Sequence, residues 1–131
     1  MEQQDASQIP YGALDYYQVH YIVEVNDRLI DTAGILAKCT PITTGHFGKK
    51  RIVDVKWTGE KLARILENDL ELKEMLKTVL KEEGEIKIDP LDDHIRIYGK
   101  WKNEDQLRFN NKTFEAVERI AGHIKNQIKD Q

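Results

Sequence analysis

The chain has 131 residues, a net charge of −3 and one cysteine, and 40% of its residues are apolar while 33% are charged. This length is that of one domain, the apolar content excludes wholesale disorder, and no apolar run reaches the roughly 20 residues that a membrane-spanning helix needs. One cysteine, Cys39, cannot form an internal disulfide, which is typical of a reducing compartment. We therefore expect a cytoplasmic protein that does not contact membranes.

The sequence divides into a short polar segment and one folded unit. Residues 1–10 are polar and acidic and lack the apolar stretch of a signal peptide, so they predict a disordered N-terminal tail. Residues 11–131 predict a single α+β domain.

Three strands are expected before the first helix. Apolar residues alternate with polar ones from Val19 to Val25, the period-2 pattern of a strand with one buried face. A turn at residues 26–28 and a return strand over 29–38 follow, and the residues from Thr40 to Gly48 favour turns and predict a loop. The third strand covers residues 52–57. Its buried face is expected to carry Val53, Val55 and Trp57. Its solvent face is expected to carry Ile52, Asp54 and Lys56.

A helical region follows, with start and stop signals. Thr58 is the expected N-cap of a helix that begins near Gly59. The helix is interrupted at Asn68, which together with Glu71 resembles a capping pair that restarts it. Apolar residues at helical spacing then continue until Gly84, a natural stop.

The C-terminal half predicts a hairpin and a long amphipathic helix. Residues 85–89 and 94–98 are short alternating strands, and a further short strand is expected over 106–109. The final helix is expected from about Lys112 to Lys129. Its apolar stripe consists of Phe114, Val117, Ile120, Ala121, Ile124 and Ile128. The predicted order, βββ-α(α)-ββ(β)-α, indicates an α+β fold in which helices pack on one face of a mostly antiparallel sheet.

Charge is segregated along the chain. Residues 1–37 carry a net charge of −5, residues 38–64 carry +5, residues 67–93 carry −6 and residues 94–131 carry +3. Such zoning bears on surface potential and partners rather than on fold. The acidic stretch 67–93 is expected to present a negative face, which disfavours nucleic acid and suits a basic protein partner.

The loop before the third strand is the main candidate binding site. Its glycines let backbone N–H groups approach an anion, its threonine hydroxyls can donate hydrogen bonds, and three adjacent cations attract negative charge. The candidate residues are Thr43, Thr44, Gly45, His46, Gly48, Lys49, Lys50 and Arg51. Because the spacing of a Walker loop is absent, the ligand class stays open between a nucleotide, another anion and an acidic partner, and a plain hairpin connection with basic flanks is the alternative.

A second pattern consists of Asp31, near the start of the second strand, and Asp54-x-Lys56 in the third. It resembles the acidic and (Asp/Glu)-x-Lys positions of the PD-(D/E)xK nuclease superfamily, in which a helix follows the lysine-bearing strand. Ile30 precedes Asp31, where that family has proline. The resemblance implies that both carboxylates hold Mg²⁺ and that Lys56 polarises the attacking water. An ion pair or plain solvent exposure explains Asp54 and Lys56 equally well.

Other reactive side chains do not predict a site. The four histidines lack zinc-ligand spacing; they are His20, His46, His94 and His123. Cys39 with His46 is the only nucleophile and base pair that the sequence suggests. The hairpin acids Asp89, Asp92 and Asp93 lack the EF-hand pattern and predict a turn.

The leading hypothesis is a small non-catalytic binding or regulatory domain that acts through a protein partner or by self-association and needs no cofactor or metal. The alternatives are a nucleotide- or anion-binding module that uses residues 43–51 and a metal-dependent nuclease. Tyrosine and tryptophan side chains are frequent at interfaces, and the candidates here are Tyr11, Tyr16, Tyr17, Tyr98 and Trp101.

Overall fold

The computed structural model of the protein describes residues 2–11, 14–25, 34–45, 50–91, 93–107 and 110–129. These residues form seven strands, three α-helices and one short 3-10 helix. The strands are β1 (Glu2–Tyr11), β2 (Leu14–Glu24), β3 (Ala37–Thr44), β4 (Arg51–Gly59), β5 (Ile86–Pro90), β6 (His94–Tyr98) and β7 (Lys102–Asn103). The helices are α1 (Lys61–Glu67), α2 (Leu70–Glu83), the 3-10 helix Glu104–Gln106 and α3 (Asn111–Lys129). The α+β class predicted from the sequence is confirmed.

The strands form an antiparallel sheet in the order β1-β2-β6-β5-β3-β4, and β7 also pairs with β2. The hairpin β5–β6 is therefore inserted between β2 and β3, which are nearer the start of the chain. This places Ile88 opposite Ile97 in the middle of the sheet, and both are fully buried. The edge strands are β1 and β4.

One hydrophobic core lies between the sheet and the helices that cover one of its faces. The strands contribute Val23, Ala37, Cys39, Val55, Trp57, Ile86, Ile88, Ile95 and Ile97. The helices contribute Leu62, Leu66, Leu72, Leu76, Val79, Val117, Ile120 and Ile124. The α3 stripe is thus buried as predicted from Val117 to Ile124, whereas Ile128 is partly buried and Phe114 is 37% exposed.

The N-terminal segment differs from the disordered tail expected over residues 1–10. It forms β1, which pairs with β2 along its whole length, from Glu2 opposite Val23 to Tyr11 opposite Leu14. Main-chain hydrogen bonds to a neighbouring strand are independent of side-chain hydrophobicity. A polar composition alone therefore does not exclude an edge strand.

The helix after β4 begins two residues later than the sequence indicated. Gly59 still belongs to β4, opposite Ala37, and has φ +141°. A Cβ atom there would lie 2.4 Å from the carbonyl oxygen of Leu36, so only glycine fits. Thr58 is consequently a strand residue and not the N-cap, and the residue that precedes α1 is Glu60.

Other helix and strand boundaries also differ. The restart of the helical region is capped by Asp69, not by Asn68 with Glu71, whereas Gly84 ends α2 as predicted. In place of a strand over 106–109, the described residues of that segment end the 3-10 helix, which Asn103 and Gln106 cap reciprocally. The predicted turn at 26–28 and the first part of the predicted return strand lie outside the described residues.

A buried ion pair joins the end of α2 to β7. The Lys102 ammonium contacts the Glu83 carboxylate, and both side chains are at most about a tenth exposed. Gly99 makes room for this carboxylate, because a Cβ atom there would lie 2.3 Å from Glu83 Oε1. Burial and the nearby Glu83 charge raise the pKa of Tyr21.

Two substitutions in α3 test the packing of this helix. One is expected to lower the free energy of unfolding and the other to raise it. Ile120 is fully buried, and Ile120→Ala is expected to lower the free energy of unfolding by about 2–5 kcal/mol. Gly122 is exposed with open space around its Cα, so Gly122→Ala is expected to raise it by about 0.5–1 kcal/mol. Chemical denaturation measures both. An unchanged stability in Ile120→Ala would contradict the packing of α3 on the sheet.

Candidate functional site

The candidate binding residues lie at the end of the β3–β4 hairpin. The loop predicted from Thr40 to Gly48 is wrong in its first half, because β3 continues to Thr44, which pairs with Arg51. The turn-forming Pro41 is tolerated inside β3 because the pairing of β3 with β5 ends at Cys39, so its missing N–H costs no bond on that side. His46, Gly48 and Lys49 lie outside the described residues.

A β-bulge changes which side chains point to solvent at this end. Ile42 pairs with Asp54 and Thr43 pairs with Ile52, which leaves Val53 as an extra residue on β4. Because the bulge reverses the alternation, Ile52 packs against the core and Val53 is 41% exposed. The predicted faces are therefore wrong for these two residues and hold for Val55 and Trp57, which are buried, and for Lys56, which is exposed.

We call the described residues Ile42–Gly45 and 50–53 the hairpin end. Its Thr43, Thr44 and Lys50 are exposed, as is Arg51, so the structure brings the described part of the predicted site together at one place. The sequence interpretation missed the apolar contribution of Ile42, which is 43% exposed. The β-branched run from Ile42 to Thr44 is a strand signal that outweighs the turn preference of Pro41.

The hairpin end has hydrogen-bond donors, cations and apolar surface but no acid–base pair. Gly45 has φ +118°, a conformation that glycine adopts readily and that turns the chain at the end of β3. The exposed hydroxyls and charges of Thr43, Lys50 and Arg51 can bind a carboxylate or phosphate. Among these described residues, the composition supports binding by hydrogen bonds and charge.

The nuclease-like pattern is only partly described. Asp54 Oδ1 accepts a hydrogen bond from the backbone N–H of Val55 at 2.8 Å and lies 3.8 Å from Lys73 Nζ. Lys56 is exposed, and Asp31 lies outside the described residues. Among the described residues, no three His, Cys, Asp or Glu side chains are placed to share a metal ion. In the described structure Asp54 contacts its own strand and Lys73 of α2.

A second polar site lies where α1, α2 and α3 meet. The Asp69 carboxylate accepts hydrogen bonds from Arg119 Nε at 2.7 Å and Arg119 Nη2 at 2.9 Å, and His123 Nε2 lies 2.8 Å from it. It also accepts the backbone N–H of Leu72 at 3.1 Å, which caps α2. We call Asp69, Arg119 and His123 the Asp69 junction.

The Asp69 junction borders a shallow depression that is also lined by Ile65, Asn68, Gly122 and Asn126. The hydrogen bonds from Arg119, together with those from His123 and Leu72, hold the pKa of Asp69 well below its usual range. Arg119 also lies 3.2 Å from Glu71, so acids surround its charge. A carboxylate and an imidazole in contact orient a proton, but none of the described residues that line the depression is a serine, threonine or cysteine whose hydroxyl or thiol this pair could activate.

The remaining reactive side chains have structural partners. Cys39 is fully buried, and burial raises the pKa of its thiol to about 12 with a smaller contribution from Glu67, whereas an activated cysteine has a lowered pKa. Asp89 accepts a hydrogen bond from Tyr98 and forms an ion pair with Arg96. The Arg96 guanidinium also lies 4.9 Å from the centre of the Tyr98 ring. Burial and Asp89 raise the pKa of Tyr98 to about 12.

Comparison of the chain with protein-family models, curated proteins and solved structures finds no match. No helix in the described part of the chain is both long and apolar enough to cross a membrane.

The Asp69 junction predicts a specific pH dependence. Because the folded-state pKa of Asp69 lies below its unfolded value of about 3.9, its contribution is fully present above that pH and is lost as the pH falls towards the folded-state pKa. Asp69→Asn is expected to lower the free energy of unfolding at pH 7 by about 1.5–3 kcal/mol, the range for hydrogen bonds to charged groups. The difference between the two proteins should shrink below about pH 4. Urea denaturation across pH measures it, and a difference that stays constant down to pH 2 would contradict the role of the charge.

Because Asp54 already contacts the Val55 N–H and lies near Lys73, we expect that the purified chain does not cleave nucleic acid. Single- and double-stranded DNA and RNA are incubated with the protein in Mg²⁺ or Mn²⁺, next to Asp54→Ala. We expect no cleavage above buffer for either protein. Cleavage by the wild type that disappears in Asp54→Ala would establish the nuclease alternative instead.

Proposed function

We propose that the chain is a non-catalytic binding domain that engages an acidic protein partner through the hairpin end. The observation that carries this proposal is the joint exposure of Ile42 and Val53 beside Lys50 and Arg51, beyond the segment where β5 pairs with β3. Interfaces combine apolar contact area, which supplies affinity, with charges that steer association and fix register.

The charge distribution supports the same surface. The acids of residues 67–93 are largely compensated within the described structure, because most of them have a cation nearby. The pairs include Glu67–Lys73, Asp69–Arg119, Glu74–Lys77, Glu83–Lys102, Glu85–Lys38 and Asp89–Arg96. Lys50 and Arg51, by contrast, have no ion pair with any described residue. The positive charges of Lys50 and Arg51 are consequently available to a partner, whereas most of the negative charges of residues 67–93 are already compensated.

A nucleotide or another small anion is the second candidate, favoured by the Thr43 and Thr44 hydroxyls and by the positive φ of Gly45. It accounts for the cations but not for the exposure of Ile42 and Val53. Apolar side chains that stay exposed next to a basic tip contribute to affinity only when a partner with its own apolar groups covers them. The protein partner therefore explains more of the surface.

The test is photocrosslinking in the cells that make the protein, with a photoreactive amino acid at position 42. The matched control carries it at Leu70, an apolar residue that is 73% exposed on α2. We expect position 42 to give a discrete crosslinked protein that is absent with position 70. The crosslinked region of that protein should be acidic. Lys50→Ser/Arg51→Ser should slow its association about tenfold at low salt, and less as salt rises, while stability changes by less than about 0.5 kcal/mol.

A second control separates local from general charge. Lys81→Ser/Lys112→Ser removes two exposed cations from the helical layer and should leave the crosslink intact. Equal crosslinking from positions 42 and 70, or equal loss in both double variants, would contradict the proposal. Loss of the crosslink on addition of phosphate or ATP alone would favour the anion-binding alternative.

A further inference from the structure

The edge strand β4 has main-chain donors that a neighbouring strand would use, and side chains occupy them. The N–H of Val55 donates to Asp54 Oδ1 at 2.8 Å, and the N–H of Trp57 donates to Glu67 Oε1 at 3.1 Å. Residues two apart on a strand direct their N–H groups to the same side. Both donors therefore point away from β3, towards the open edge.

A lysine holds these two carboxylates in place. Lys73 Nζ lies 3.1 Å from Glu67 Oε2 and 3.8 Å from Asp54 Oδ1, and its side chain is 13% exposed. Glu67 is the last residue of α1, where a negative charge is unfavourable with respect to the helix dipole. Its position is accounted for by what it contacts on β4. We call Asp54, Glu67 and Lys73 the edge guard.

A groove runs beside the guarded edge. Its lining includes Trp57, Thr58, Ala63, Arg64 and Glu67. The Trp57 indole is buried, and its Nε1–H has no acceptor among the described residues. The guard therefore closes a main-chain edge next to a groove whose wall includes Trp57. An added strand needs both features, an open ladder and space beside it.

We propose that β4 is a self-association edge for a second copy of this chain, closed in the monomer by the edge guard. A two-fold axis at Val55 pairs β4 with β4 of the second copy in antiparallel register. Val55 then faces Val55 of the second copy as a hydrogen-bonded pair, which uses the donors that the guard now occupies.

Charge complementarity favours this register and favours a second copy of the chain as the binding partner of β4. Asp54 comes opposite Lys56 of the second copy, and Lys56 comes opposite its Asp54, so two complementary cross-strand pairs form at once. An axis at Trp57 would instead place Lys56 opposite Thr58, and neither Lys56 nor Asp54 would face an opposite charge across the strand pair. The sequence Asp54-Val55-Lys56 is thus self-complementary around its centre. The inference does not depend on the partner proposed for the hairpin end.

The test is sedimentation velocity of the purified full chain over a range of concentrations. Glu67→Ala removes the acceptor for the Trp57 N–H, whereas Glu67→Gln keeps an amide oxygen that can replace it. Because one guard bond is released in each copy, Glu67→Ala should dimerise about tenfold more tightly than the wild type, and Glu67→Gln should resemble the wild type. Adding Lys56→Glu to Glu67→Ala places like charges opposite each other and should abolish the gain.

Hydrogen exchange gives an independent readout of the same edge. The Trp57 amide of Glu67→Ala should exchange faster than in the wild type at low concentration and become protected as the dimer forms. Lys73→Met, which leaves Glu67 in place but removes its cation, should also strengthen dimerisation, and it decides the question if Glu67→Ala does not fold. The proposal is overturned if the folded variants stay as monomeric as the wild type. It is also overturned if adding Lys56→Glu leaves the dimerisation affinity of these variants unchanged, or if the wild type dimerises as tightly as the variants.

Discussion

The helical layer depends on one carboxylate, that of Asp69. It caps α2 through the N–H of Leu72 and at the same time accepts hydrogen bonds from Arg119 and lies in contact with His123, both on α3. The start of one helix is thereby held against the middle of another. Since α2 and α3 both contribute residues to the hydrophobic core, the position of this group fixes how the two helices lie against each other.

The same short segment also connects the helices to the sheet. Glu67 contacts the backbone of β4, Asp69 joins α2 to α3, and Lys73, six residues after Glu67 and on α2, neutralises it. Seven consecutive positions therefore link a strand edge, a helix start and the C-terminal helix. The acidic character of this stretch serves these contacts, which explains why it leaves less free negative charge than its composition indicates.

Hydrophobic periodicity predicted the elements that are regular over their whole length. The limits of β6 agree with the prediction, and those of α3 agree within one residue, because period-2 and period-3.6 patterns are local properties of the sequence. The exposed apolar part of the hairpin end could not be predicted, since one extra residue at Val53 reverses the strand faces without any local signal. The Asp69 junction was equally inaccessible, because Arg119 lies 50 residues away along the chain. The threonines, Gly45 and the cations of the candidate site follow directly from the sequence, whereas its exposed apolar residues do not.

Because Cys39 is buried, chemical modification of its thiol reports on opening of the folded structure. The thiol lies between Trp57 on β4 and Ile86 on β5, is fully buried, and has a pKa raised to about 12. A thiol reagent requires both access and thiolate, and the closed sheet supplies neither at neutral pH. The rate at which this single cysteine is modified therefore measures how often β3 separates from its neighbours. Breathing of the sheet can be followed in the unaltered chain, without any introduced label.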